Sequence, residues 1–135
     1  MSETEKAIEL HAALDKIDLA TVPVLSTDRC LPRKEAAALA RKLFRSLKLN
    51  GISVTAPNYS MCFHCEVRLP KRDDYPTLHK DEWGFDKVDF ANDPVSAENQ
   101  KARTKVRQIL ALAFPNHDDR SDSMTDYFDA KWTVE

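Results

Sequence analysis

The apolar positions of this chain repeat first with a helical period, then strictly by twos, then helically again. In the opening stretch, about 2–16, Ser2-Glu3-Thr4-Glu5 has the spacing of a capping box, and Ala7, Ile8, Leu10, His11 and Leu14 follow at helical intervals. Residues 19–25 are β-branched but interrupted by Pro23, which suits an edge strand or an extended connector. A second helix is expected over 32–49. Pro32 suits its first position, Ala36, Leu39, Ala40, Leu43 and Leu47 share one face, and Asn50-Gly51 can supply the left-handed residue that stops it. Alternation then takes over in 52–56 and 61–69. With 57–60 as the loop, Ala56 pairs with Met61, Val54 with Phe63 and Ile52 with Cys65 on one face, while Thr55 meets Cys62 and Ser53 meets His64 on the other. Val67 and Leu69 extend the apolar side to Pro70.

A third helix over 95–114, starting near Asp93-Pro94 or Ser96, places Ala102, Val106, Ile109, Leu110 and Ala113 on its buried face and ends at Pro115. A final strand over 129–134 alternates Ala130, Trp132 and Val134 with Lys131, Thr133 and Glu135. The expected fold is α+β in one domain, 1–135. A small antiparallel sheet, the 52–69 hairpin plus the C-terminal strand 129–134, packs against two or three helices. Helices 32–49 and 95–114 cover its apolar face, and the first helix packs at the side or mediates self-association. Between them, 71–93 sets Tyr75, Trp83, Phe85 and Phe90 among seven acids, a long insertion for an ordinary connection. It reads as a folded flap or a functional loop, with the aromatics packed.

At 135 residues, 42% of them hydrophobic, one domain can bury a core without staples. The net charge of −2 hides strong segregation: seven Lys and Arg between Arg29 and Lys48 face Glu35 alone, so this stretch carries +6 and the remainder −8. Three cysteines and no apolar leader fit a reducing cytoplasm, and no apolar run reaches membrane-spanning length.

The order helix, hairpin, helix, acidic turn, final strand carries a set of short matching words. These are Ala40-Arg41-Lys42-Leu43 with Leu47, Ser53-Val54, Tyr59-Ser60 and the strand at Val67. Ile109-Leu110 with Phe114-Pro115, and Asp122-Ser123-Met124-Thr125-Asp126-Tyr127, complete it. Over about 32–134 the chain resembles one of the large polyvalent protein-associated domains of phages and conjugative elements. The resemblance implies a small α+β unit that travels with mobile DNA, in an accessory role, and carries over no catalytic residue. The chain departs from the pattern in standing alone, in Pro57 and Asn58 before Tyr59, and in the insertion after Leu69.

Reactive chemistry finds little support. Cys62-Phe63-His64-Cys65 with His79 has the composition of a zinc site, but strand residues three apart point to opposite faces, and no Gly or Pro offers a chelating knuckle. Cys62, His64 and Glu66 share a strand face without the oxyanion donors a nucleophile needs. Asp118, Asp119, Asp122 and Asp126 lack the glycine and terminal Glu of a calcium loop and suit turn capping. No metal or cofactor is expected, and an enzyme of unknown class ranks third among the functional readings. Ahead of it stands nucleic-acid binding through Lys34, Arg41, Arg45 and Lys48, which fall within roughly a 60° arc of the second helix. The hairpin tip, Asn58 and Tyr59, would add a finger, and Lys101, Arg103, Lys105 and Arg107 a second cationic stretch. The bland counterpart is a solvated face, or one paired with acids of the same chain. The alternative is a protein-protein interaction module or inhibitor that uses the insertion, with Tyr75, Trp83, Phe85 and Phe90 as contacts and a basic partner.

Overall fold

The computed structural model describes residues 2–27, 33–56, 64–76, 78–115 and 131–135. Helix α1 (Glu3–Asp15) is capped by Ser2, whose Oγ accepts the Glu5 N–H at 3.2 Å, and it buries Ala7, Leu10 and Leu14. A 3-10 turn (Leu19–Thr21), capped by Asp18, leads into an extended connector whose Leu25 N–H reaches the Ala113 carbonyl. Helix α2 (Arg33–Ser46) follows, then strands β1 (Ser53–Thr55) and β2 (His64–Arg68). Strands β3 (Leu78–Lys80) and β4 (Asp86–Val88), helix α3 (Pro94–Ala113) and strand β5 (Lys131–Val134) complete the chain.

The α+β class holds, and the helices lie close to their expected spans. The stop of α2 differs. Lys48, at φ 58°, takes the left-handed position, with the Lys48 N–H on the Arg45 carbonyl and the Leu49 N–H on the Phe44 carbonyl. This is the paired end of a Schellman motif, sealed by buried Leu49. Asn50-Gly51 is therefore not the helix stop, and Gly51 (φ 94°) serves the following turn into β1. The buried face of α2 is also rotated from the expected one: Ala37 and Phe44 join Ala36, Ala40 and Leu43, while Leu39 and Leu47 are only partly covered.

The three-stranded sheet has the order β1-β2-β5. In the hairpin, Ser53 pairs with Arg68, Val54 with Val67 and Thr55 with Glu66. The expected register is thus displaced by four residues along the second strand. Because four is even, every side chain keeps its face, and Val54, Cys65 and Val67 are buried together as the alternation requires. The last strand corrects the sheet type. β5 lies on the far side of β2 and runs parallel to it, Val67 beside Val134, so the sheet is mixed rather than antiparallel throughout. A strand, a helix and a returning strand make a crossover, and a crossover delivers the chain parallel. α2 packs on β1 and β2, α3 on β5, and α1 against α3. One core contains Leu43 and Phe44 from α2, Val106, Ile109 and Leu110 from α3, and Val54, Val67 and Val134 from the sheet, with Leu10 and Leu14 reaching it from α1.

The insertion contains a second hairpin, β3 paired antiparallel to β4, where the sequence pattern supports no more than a folded flap or a functional loop. The expectation that its four aromatics pack holds only for Tyr75, which is half-buried. The others are solvent-facing: Trp83 is 75% exposed, Phe85 71% and Phe90 63%, beside Leu78 at 56%.

Candidate functional site

The path to the second hairpin is fixed by one buried amide. Asn99 of α3 accepts the Arg72 N–H at 3.0 Å, donates to the Arg72 carbonyl at 2.9 Å and reaches the Tyr75 hydroxyl at 3.3 Å. It thereby treats the strap after β2 as a strand would. A buried amide with these partners avoids the cost of an unpaired polar group, and it holds the strap on α3. The Arg72 guanidinium bridges Asp74 at 2.7 Å and Glu98 at 2.5 Å. Those hydrogen bonds, Asp74 first and Glu98 second, raise the Arg72 pKa, and the same contact lowers that of Asp74. Thr4 adds a hydroxyl bond to Asp73, tying α1 to the same strap. At the far end of the insertion, Phe90 meets Tyr75 edge to face at 5.3 Å, and Asp93 caps α3 through the Val95 and Ser96 N–H groups.

From that base the hairpin projects with an ordered turn. The Asp81 carboxylate accepts the Trp83 and Phe85 N–H groups, each at 2.9 Å, and lies 3.5 Å from Lys87 Nζ. The Gly84 N–H donates to the Asp81 carbonyl, and the Asp81 N–H to the Phe85 carbonyl. Gly84 sits at φ 82° with open space where a Cβ would be, so glycine is needed there for its backbone and not for room. This is the three-residue hairpin turn with a glycine in the left-handed position. Its physical result is a tryptophan held at the tip by a backbone that has already lost its freedom. Cross-strand pairs place Leu78 with Val88 on one face and His79 with Lys87 on the other, which Phe85 shares.

Lys34, Arg41, Arg45 and Lys48 are all exposed, the first three on α2. Lys42 is exposed there too. Arg41 turns its Nε to the Val54 carbonyl at 2.8 Å, against β1. Lys48 lies beyond the last residue of α2, in the capping turn, and so leaves the helical stripe. Asn58 and Tyr59 lie outside the described residues, as do Pro32, Cys62, the acids Asp118 to Asp126 and residues 129–130. The second cationic stretch divides. Lys101 pairs with Asp15 of α1 at 3.3 Å and Lys105 faces the same side, whereas Arg103 bonds Gln100 and Arg107 reaches the Val134 carbonyl at 3.3 Å. The two sets sit on opposite sides of α3, as a spacing of two on a helix dictates.

Cys65 is fully buried in the core and His79 is exposed on β3, so the two are not together, and no group of three or more His, Cys, Asp or Glu among the described residues could hold a metal ion. A cleft of about 480 Å³ between α1 and α3 is lined by His11, Asp15, Arg72, Glu98, Lys101 and Lys105. Both ring nitrogens of His11 are buried without a hydrogen-bond partner, and burial lowers its pKa, a shift that Glu98 partly opposes. The charged groups of the cleft are largely paired with one another, an arrangement that joins α1 to α3 and offers no nucleophile beside a base.

Sequence reasoning named Trp83, Phe85 and Phe90 but missed what presents them. The signal for the turn was present in Asp81-Glu82-Trp83-Gly84, an Asp and a Gly bounding a short connection between two alternating runs. Asn99 carried no local signal, because its backbone partner at Arg72 is 27 residues away, and of the Arg72 partners only Asp74 is local, Glu98 lying 26 residues off. No family model, curated protein or solved structure matches the chain.

Proposed function

We propose that this chain is a non-enzymatic protein-interaction module whose contact surface is the β3–β4 hairpin. The observation that supports this reading most is the pairing of exposure with order at the tip: Trp83, Phe85 and Phe90 face solvent while Asp81 holds the turn rigid. Solvated aromatics on a floppy loop would spend much of their burial energy on ordering, whereas here the ordering is complete before contact. Each ring covered by a partner is worth about 2–3 kcal/mol, and Trp is the residue most enriched at energetic centres of interfaces. Such a module fits the accessory role, alongside mobile DNA, that the sequence resemblance implies.

The test is capture. The native chain, immobilised and exposed to a lysate of its own cells, should retain a protein that the Trp83→Ala/Phe85→Ala double variant loses. Lys34→Glu/Arg45→Glu should retain it. Equal capture by the aromatic variant would remove the hairpin as the contact surface. One observation keeps nucleic-acid binding as a second reading: Lys34, Lys42 and Arg45 are exposed on α2, and no acid lies between residues 36 and 50. It requires salt-sensitive binding to DNA or RNA that Lys34→Glu/Arg45→Glu abolishes.

A further inference from the structure

The two sheets treat their edges differently. Glu135 donates its N–H to the Val67 carbonyl at 2.8 Å, so the polar groups of Val67 face β5, and those of its other partner, Val54, face away from β2. That outward Val54 carbonyl is the one Arg41 covers. On the opposite edge, Glu135 faces β2, so the alternate residue Val134 points outward, and Arg107 covers its carbonyl. Both edges of the three-stranded sheet are thus closed by an arginine from a packed helix, a common protection against strand addition.

Among the described residues the hairpin has no such cover. Asp81 donates to the Phe85 carbonyl, and the two-residue alternation makes His79 and Lys87 the next hydrogen-bonded pair. Leu78 and Lys80 on β3, and Asp86 and Val88 on β4, therefore aim N–H and C=O outward, and no described side chain is seen bonding to them. The strands are exposed apart from half-buried Val88, and their outward backbone groups are those that a third strand would take up. Lys87 of β4 pairs with Asp81 beside β3, and the charges left over tell the two edges apart: Asp86 and Asp89, the latter also accepting the Asn92 amide, belong to β4, and Lys80 belongs to β3.

Resting on the reading of the hairpin as the contact surface, we infer that the partner supplies an extended, Lys- or Arg-bearing segment that adds to the free edge of β4. Its backbone pairs with the outward groups of Asp86 and Val88, its cations meet Asp86 and Asp89, and its apolar side chains extend the Leu78–Val88 face. Trp83 and Phe85 then close over the end of the added strand.

The probe is a set of eight-residue peptides in which Lys alternates with Val, Ile or Phe, the matching Glu peptides, and Lys peptides N-methylated at alternate backbone nitrogens, each titrated against the full chain by Trp83 fluorescence. The Lys series should bind, the Glu series should not, and N-methylation of the strand-facing nitrogens should weaken binding about tenfold, one hydrogen bond or slightly more. Val88→Pro removes an outward donor without breaking a bond inside the hairpin and should weaken binding similarly, while Lys80→Pro on β3 should not. Undiminished binding of the N-methylated peptides, stronger loss from Lys80→Pro than from Val88→Pro, or no binding of any Lys peptide overturns the inference. In that last case, capture that still depends on Trp83 leaves the interaction module standing. Capture independent of Trp83 removes both.

Discussion

The three-stranded sheet and the two-stranded hairpin are built from similar short alternating segments, yet one is a structural floor and the other a projection. The first has one face under α2 and α3, a polar face where Arg68 meets Glu66 and Glu135, and an arginine on each edge. The second has aromatic and aliphatic side chains in water, and among the described residues its edges are uncovered and it is held at its turn and its base. A fold that guards one sheet and leaves the other exposed among its described residues has placed its stability in the first and, on the proposed reading, its recognition in the second. The lesson is that strand identity says little about role. What decides it is the surface against which the strand is closed.

The sharpest way to break that comparison is to truncate each part. Leu43→Ala, in the core beneath the sheet, should cost about 2–5 kcal/mol and lower the melting temperature by roughly 6–20 °C. Trp83→Ala should shift stability by no more than about 0.5 kcal/mol while abolishing capture. Thermal melts of both variants, with the capture assay alongside, separate the two. A Trp83→Ala chain that melts like Leu43→Ala would mean that the hairpin belongs to the core.

The joint between the two parts comes next. Asn99→Leu leaves the Arg72 backbone N–H and carbonyl without their buried partner, a loss of about 1–3 kcal/mol, and should release the strap from α3. Hydrogen exchange of the Arg72 amide should speed up together with those of β3 and β4, while amides of β2 stay protected. At the turn, Gly84→Ala meets no clash but must hold φ 82°, at roughly 1–2 kcal/mol. That strain should appear as fraying of β3 and β4 and weaker capture, with little change in the main melting transition.

The smallest expected effect concerns pH, at the contact between α1 and α3. Burial lowers the His11 pKa below its ordinary 6.5, so the folded chain binds fewer protons than the unfolded one as pH falls through that value. The neutral ring's contribution is fully present above about pH 6.5 and is lost progressively as pH falls from there through the lowered folded pKa. Chemical denaturation across that range should show native stability declining toward acid. His11→Leu should flatten the decline, and a slope that persists in the variant would assign it to other groups.

Much of the local structure was legible in the residues. The N-cap at Ser2, the buried face of α3 and the parity of the Val54 and Val67 strands follow from local capping and side-chain period, which local sterics impose before any tertiary contact forms. The exposed aromatics were legible as candidates, though not as exposed, since nothing within 71–93 says whether another element covers them. The basic stripe was legible as a pattern, though not in how Arg41 is held. Arg41 on a helix face has the same sequence signature whether it meets a phosphate or the open carbonyl of a neighbouring strand.

By itself, the sequence determined three helices, one hairpin, a last strand, and which side of each is apolar. Only the tertiary structure decided the displaced register, the parallel run of β5, the closing of two sheet edges by Arg41 and Arg107, and the clamping of the Arg72 strap by Asn99. The physical reason is range. Period and capping act within a few residues, where the chain's own geometry sets the outcome. Register, strand direction and edge cover depend on bonds between groups far apart in the chain, and those exist only once the core has closed.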